Sequence, residues 1–136
     1  MKRSATAVWK GTGKEGVGNV KTQSGVLNHA AYSYHTRFED GVGTNPEELM
    51  AAAHAGCFSM KLAFVLTNAG YTPDEILTDC YIALENGVIS KSELIVRAKV
   101  KNLDSQKFQE CAEEAKINCP VSKAYNCEIT LDAALV

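Results

Sequence analysis

With 136 residues, 46% hydrophobic and 22% charged, the chain has the size and composition of a single soluble globular domain spanning residues 1–136. A net charge of −2, with no basic excess, argues against nucleic acid or an anionic membrane as partner. The five cysteines (57, 80, 111, 119 and 127) are odd in number and include no Cys-x-x-Cys pair, which argues against a disulfide framework and a structural zinc site. Met1-Lys2-Arg3-Ser4-Ala5-Thr6 leads into a mixed segment without the apolar core of an export signal, so a cytoplasmic location is expected.

In chain order, residues 4–9 read as a short strand. The run from Gly11 to Gly18 is a glycine-rich turn. No Gly-Lys-Ser/Thr ending opens a helix there, so it reads as a hairpin connection rather than a phosphate loop. Residues 19–23 and 32–38 read as further strands, making this part a β-meander. Asn45-Pro46-Glu47-Glu48 is a helix start: Asn45 can cap, Pro46 suits the first helical position, and Glu48 sits where a capping box places its acid. The helix is expected to reach residue 69, with Gly70 ending it. Its apolar run 49–66 is long enough to suggest a membrane span. Yet it contains His54, Ser59 and Lys61 and is rich in Ala and Gly, which fits a helix buried in protein and packed closely on several sides.

Residues 78–85 then read as a strand, and Asn86-Gly87 as a hairpin turn. In the next strand Leu94, Val96, Ala98 and Val100 alternate with Arg97, Lys99 and Lys101. Phe108, Cys111, Ala112 and Ala115 mark one face of an amphipathic helix, and Cys119-Pro120 opens a short one. The last strand alternates Ile129, Leu131, Ala133 and Leu135 with Glu128, Thr130 and Asp132. The sum is an α+β fold, with two antiparallel sheet segments separated by a long apolar helix.

At helical spacing Glu47, Met50, His54, Cys57 and Lys61 fall within an arc of about 80° on the central helix. One stripe thus carries an acid, an imidazole, a thiol and an amine, although polar residues also simply mark the wetter side of a helix. Cys57 alone reads as a packing residue unless a cation stabilises its thiolate. Cys119 occupies an expected N-cap, where unpaired amides and the helix dipole favour an anion. His54 and Cys57 form an i, i+3 pair that can offer two metal ligands, but no second pair exists. A Cys/His acyl-transfer pair lacks a recognisable oxyanion loop.

More specific motifs run through nearly the whole chain. They are Ser24-Gly25-Val26-Leu27-Asn28, Thr36-Arg37-Phe38-Glu39 and Gly43-Thr44-Asn45-Pro46-Glu47-Glu48-Leu49. They continue with Ala52-Ala53-His54-Ala55-Gly56-Cys57-Phe58-Ser59-Met60, Cys119-Pro120-Val121-Ser122 and Glu128-Ile129-Thr130-Leu131-Asp132. In this order they resemble the OsmC/Ohr family of thiol-dependent hydroperoxide reductases, and the OsmC branch more closely than the Ohr branch. The resemblance implies an intertwined homodimer, with antiparallel sheets enclosing long central helices. It implies that Cys57 is the peroxidatic thiol, Cys119 the resolving thiol, Arg37 the cation beside Cys57 and Glu47 the carboxylate that holds Arg37. It further implies a hydroperoxide substrate, reset by a thiol or dithiol such as a lipoyl group, and no metal or other cofactor. Cys80, Cys111 and Cys127 lie outside the motifs and read as structural, and His54 has no assigned role.

Two readings from other classes stand beside this one: a non-catalytic hydroperoxide sensor and a Cys/His acyl-transfer enzyme. Geometry adds one expectation. Glu47 and Cys57 are ten residues apart on one helix, about 15 Å along its axis. An Arg37 bound to Glu47 would therefore serve the Cys57 of a second chain, so that each site draws on two chains.

Overall fold

The computed structural model describes residues 1–136, which form two compact units, Met1–Leu49 and Met50–Val136. In the first unit β1 (Ala5–Lys10), β2 (Val17–Thr22) and β3 (Ala30–Tyr32) make an antiparallel meander in that order. The glycine-rich segment is the β1–β2 connection, where the Gly16 amide donates to the Thr12 carbonyl at 2.8 Å. Trp9 and Tyr32 meet over β2 with ring centroids 5.3 Å apart. Only glycine fits between them, because a Cβ at Gly18 would lie 2.5 Å from the Trp9 ring and 2.6 Å from that of Tyr32.

The strand expected over 32–38 is not formed. The chain leaves β3 at Tyr32 and turns into a short helix, α1 (Tyr34–Phe38). Ser33 and Thr36 close a capping box: the Thr36 amide donates to Ser33 Oγ and the Ser33 amide to Thr36 Oγ1. These two local bonds satisfy amides that a strand would have to pair elsewhere. Arg37 therefore sits on a helix.

α2 (Pro46–Asn68) begins at the expected position. Asn45 Oδ1 accepts the Glu48 amide at 2.8 Å, and its Nδ2 donates to the Thr36 carbonyl at 3.0 Å, which fixes the helix start against α1. Glu48 does not complete a capping box; its carboxylate accepts from Thr44 Oγ1 at 2.7 Å. Gly43 (φ +140°) lies so close to β3 that a Cβ there would be 2.3 Å from the Ala31 carbonyl oxygen.

In the second unit, β4 (Pro73–Glu85) is longer than the sequence pattern indicated, and β5 (Val88–Val100) follows antiparallel to it. The turn between them is Asn86-Gly87, both with positive φ (51° and 76°), as a type I′ hairpin requires. β6 (Glu128–Leu135) then pairs with β5 in parallel, so this sheet is mixed rather than wholly antiparallel. α3 (Ser105–Asn118) and α4 (Pro120–Ala124) carry the chain back to the starting end of β5, and such a crossover is what a parallel pairing demands.

The core of this unit draws Phe58, Leu62, Val65 and Leu66 from α2 and Leu94, Val96 and Ala98 from β5. The four apolar residues of α3 read from the sequence (Phe108, Cys111, Ala112 and Ala115) complete it, together with Cys119 and Ala133. Each large aliphatic or aromatic side chain so buried contributes about 1.5–3 kcal/mol.

The expectation that α2 is packed on several sides fails within the single chain. Its opposite face, with Ala52, Ala53, Gly56, Met60 and Phe64, is exposed, Met60 and Phe64 at 65% and 61%. A helix with a mean hydropathy of 1.6 over its most apolar window has only 28% of that window buried, because the chain supplies a core on one side alone.

Candidate active site

Cys57 sits midway along α2, just before the core residue Phe58, and is half-buried. Cys119 caps the N-terminus of α4 and is fully buried. The two sulfurs, sixty-two residues apart in sequence, share a hydrogen bond at 3.0 Å. Both are free thiols. A disulfide needs about 2.05 Å, so closing it asks for a movement of about 1 Å.

Burial pushes the Cys57 thiol above its ordinary pKa, and the hydrogen bond it shares with Cys119 adds to the rise. The Val121 amide, bonded to the Cys57 sulfur, and the Lys61 ammonium one turn further along α2 act in the opposite direction without reversing it. The N-terminus of α4 was expected to serve a Cys119 anion. Cys119 instead makes no side-chain cap bond and aims at Cys57, so an amide of α4 assists Cys57. The other three thiols sit differently: burial raises each of them, and none hydrogen-bonds another sulfur.

His54 lies one turn before Cys57 and is fully buried. Its Nδ1 shares a hydrogen bond with Ser92 Oγ on β5 at 2.6 Å, and its Nε2 another with Ser122 Oγ on α4 at 2.8 Å. The Tyr125 ring stands edge-on to it, 5.2 Å between centroids, while the Tyr125 hydroxyl donates to the Met50 carbonyl at 2.7 Å. Both imidazole nitrogens are taken by hydroxyls, leaving neither for a metal or for the Cys57 sulfur. The His54/Cys57 pair is thus neither a ligand pair nor a nucleophile–base pair. Sequence reasoning missed Ser92 and Tyr125, and gave Ser122 no role although it stands in the Cys119-Pro120-Val121-Ser122 motif. Ser92 did carry a signal, being a hydroxyl in phase with Leu94, Val96 and Ala98 on the apolar face of its strand.

In the first unit Arg37 and Glu47 come together as expected. Nε of Arg37 donates to both carboxylate oxygens, at 3.1 and 3.2 Å, and Nη2 to Oε1 at 2.6 Å. The Glu47 side chain is 11% exposed and that of Arg37 38%, so the carboxylate is the buried anchor and the guanidinium the presented charge. Arg37 also lines a cleft of about 220 Å³ with Trp9, Tyr32, Tyr34 and Phe38, four aromatic walls around one cation.

Residues 38–133 match the family described as OsmC-like protein. The chain is 44% identical over 137 residues to peroxiredoxin OsmC of Escherichia coli (strain K12), covering 98% of this chain and 96% of that one. It is 30% identical over 109 residues to the organic hydroperoxide resistance protein OhrB of Bacillus subtilis (strain 168), covering 79% and 80%. Among solved structures, an organic hydroperoxide resistance protein from Elizabethkingia anophelis superposes with a TM-score of 0.72 at 26% identity, covering 100% and 99% of the two chains. An OsmC-like protein of Vibrio cholerae reaches 0.79 over 98% and 99%, though at 16% identity it speaks for the fold alone. With the family model matching residues 38–133 and a relative 44% identical over nearly the whole of both chains, the chain belongs to the OsmC family.

Proposed function

We propose that this chain is a cysteine-based peroxidase that reduces organic hydroperoxides to alcohols through a Cys57 sulfenic acid and a Cys57–Cys119 disulfide. The observation that carries this reading is the 3.0 Å contact between the two thiols, which leaves Cys119 within reach of an oxidised Cys57. The names of the relatives, peroxiredoxin and organic hydroperoxide resistance protein, agree with it.

In the first step the Cys57 thiolate attacks one peroxide oxygen, the O–O bond breaks, and the other oxygen leaves as alkoxide and takes a proton. In the second, the Cys119 sulfur attacks the sulfenic sulfur, forming the disulfide and releasing water. An external thiol or dithiol, for example a lipoyl dithiol, returns both sulfurs to thiols by exchange. None of these steps needs a metal, haem or flavin. Five free thiols suit a reducing compartment, in keeping with the cytoplasm.

Within its own unit Cys57 is held above its ordinary pKa, so the first step needs a cation to favour the thiolate and the developing alkoxide. In this reading Arg37 of the partner subunit, oriented by its own Glu47, is that cation. The second copy also accounts for the open face of α2. Gly56 has nothing within 4 Å of where a Cβ would stand, leaving room for close approach by another helix, and Met60 and Phe64 gain cover. The aromatic cleft beside Arg37 gives the apolar substituent of an organic hydroperoxide a surface that hydrogen peroxide cannot use.

Steady-state consumption of cumene hydroperoxide and of hydrogen peroxide, with dihydrolipoamide as reductant, tests the reading. Sustained turnover, faster on the organic substrate, is expected. A single stoichiometric oxidation without turnover would make the chain a sensor instead.

A further inference from the structure

We propose that His54 is a positioning residue for the second half of this reaction: its hydrogen bonds to Ser122 on α4 and Ser92 on β5 hold the start of α4, and with it Cys119, within bonding reach of Cys57. The inference rests on the dithiol reading above.

The placement is symmetric about the thiols. His54 precedes Cys57 by three residues on α2, and Ser122 follows Cys119 by three on α4, so the bond at 2.8 Å joins the turns that carry the two sulfurs. Apart from the Val121 amide on the Cys57 sulfur and the apolar packing of Cys119 and Val121, little else fixes α4. It has five residues, its N-cap makes no side-chain bond, and its one buried residue is Ser122. A further polar tie, the Tyr125 hydroxyl to the Met50 carbonyl at 2.7 Å, reaches the same part of α2, and the Tyr125 ring rests edge-on against His54.

The imidazole has no charged partner. Burial lowers its affinity for a proton, which keeps the ring neutral. A neutral ring donates at one nitrogen and accepts at the other, and each serine hydroxyl can take either part. Ser92 continues the chain to Cys80 Sγ at 3.3 Å, so the run Cys80–Ser92–His54–Ser122 is hydrogen-bonded along its length. A run with every polar atom satisfied holds one geometry, since breaking any link leaves a buried group unpaired. A family motif residue that touches neither thiol is thereby given a task.

The consequence is kinetic. Once Cys57 is a sulfenic acid, Cys119 competes with a second hydroperoxide, which would take Cys57 to sulfinic acid. A looser α4 spends less time with Cys119 in reach, so more Cys57 is over-oxidised, while the initial attack loses at most part of the assistance of the Val121 amide. The test is the ratio of Cys57 sulfinate to Cys57–Cys119 disulfide, read by peptide mass mapping across a series of cumene hydroperoxide concentrations.

For Ser122→Ala the ratio should rise about fivefold, the scale of one lost neutral hydrogen bond, with the rate of first Cys57 oxidation unchanged within about twofold. Ser122→Thr, which keeps the hydroxyl, should restore the wild-type ratio. A folded Ser122→Ala protein with the wild-type ratio would overturn the proposal, as would an equal shift in both variants. If Ser122→Ala does not fold, Ser92→Ala removes the other hydrogen bond to His54, and an unchanged ratio there overturns the proposal equally. Wild-type protein that forms no Cys57–Cys119 disulfide would instead overturn the dithiol reading, and that result needs no variant.

Discussion

Arg37 and Glu47 meet at 2.6 Å with the guanidinium 38% exposed, whereas Cys57 and Cys119 meet at 3.0 Å with Cys119 fully buried and no charge between them. The two pairs solve opposite problems. A guanidinium stays protonated in nearly any setting and needs only to be aimed, which a buried carboxylate does with paired donors. A buried thiol needs no aiming but resists losing its proton, and Cys57 is pushed further that way by its surroundings. Charge is thus kept where water stabilises it, and the thiol pair in an apolar setting. In our account reactivity arises when the two are brought together across a dimer.

The largest expected effect comes from removing one member of the thiol pair. Cys57→Ser should abolish turnover, because a hydroxyl is a poor nucleophile toward an O–O bond at neutral pH. Cys119→Ser should still consume one equivalent, leaving Cys57 as sulfenic or over-oxidised acid by intact mass. An unmodified Cys57 in that variant would count against its assignment as the attacking thiol.

Removing the cation should be nearly as severe. Arg37→Ala is expected to lower kcat/KM by about 10²–10³, the usual scale for losing a donor to developing negative charge, and Arg37→Lys should not restore it fully. Mixing inactive Cys57→Ser and Arg37→Ala proteins under conditions of subunit exchange sharpens the comparison. If the cation acts in trans, one site per heterodimer is complete, and activity should return to about a quarter of wild type. Proven heterodimers that stay inactive would place Arg37 and Cys57 in the same chain's site.

Substrate choice should show the apolar side of the contrast. Burying about 100 Å² of substituent contributes roughly 2.5 kcal/mol, so organic hydroperoxides should exceed hydrogen peroxide in kcat/KM by more than tenfold. Equal efficiencies would mean that the aromatic cleft beside Arg37 takes no part.

The smallest effect concerns stability. Burial holds the His54 pKa below the ordinary 6.5, so on acidification the unfolded chain gains this proton before the folded one does. Above pH ~6.5 His54 contributes nothing to the pH dependence; as pH falls below it, stability should decline by at most about 1.4 kcal/mol per unit until the folded ring also titrates. Urea denaturation from pH 7.5 to 5.5 should show this component in the wild type and not in His54→Gln.

The sequence was legible wherever a local rule decides structure. Asn45-Pro46, Asn86-Gly87 and the alternation of Leu94, Val96 and Ala98 each stand where their own chemistry placed them. It misled at residues 32–38, which read as a strand, while the Ser33/Thr36 capping box formed a helix. The parallel partner of β5 was not legible either, because strand direction depends on a crossover rather than on β6 itself. Cys57, Cys119, Arg37 and Glu47 were singled out as candidates through the family resemblance, and the structure pairs them as thiol with thiol and cation with acid. The bonds that Ser92 and Ser122 make to His54 span 38 and 68 residues, and no local pattern encodes a contact at such range.

The most direct test of the central claim is a single turnover. The fully reduced protein is mixed with one equivalent of cumene hydroperoxide in the absence of reductant, quenched by alkylation, and mapped by mass spectrometry. The account predicts cumyl alcohol in one-to-one yield and a single new linkage, Cys57–Cys119, with Cys80, Cys111 and Cys127 all alkylated. Alcohol formed with Cys57 and Cys119 both still alkylated, or oxidation lodged on any other cysteine, would contradict it.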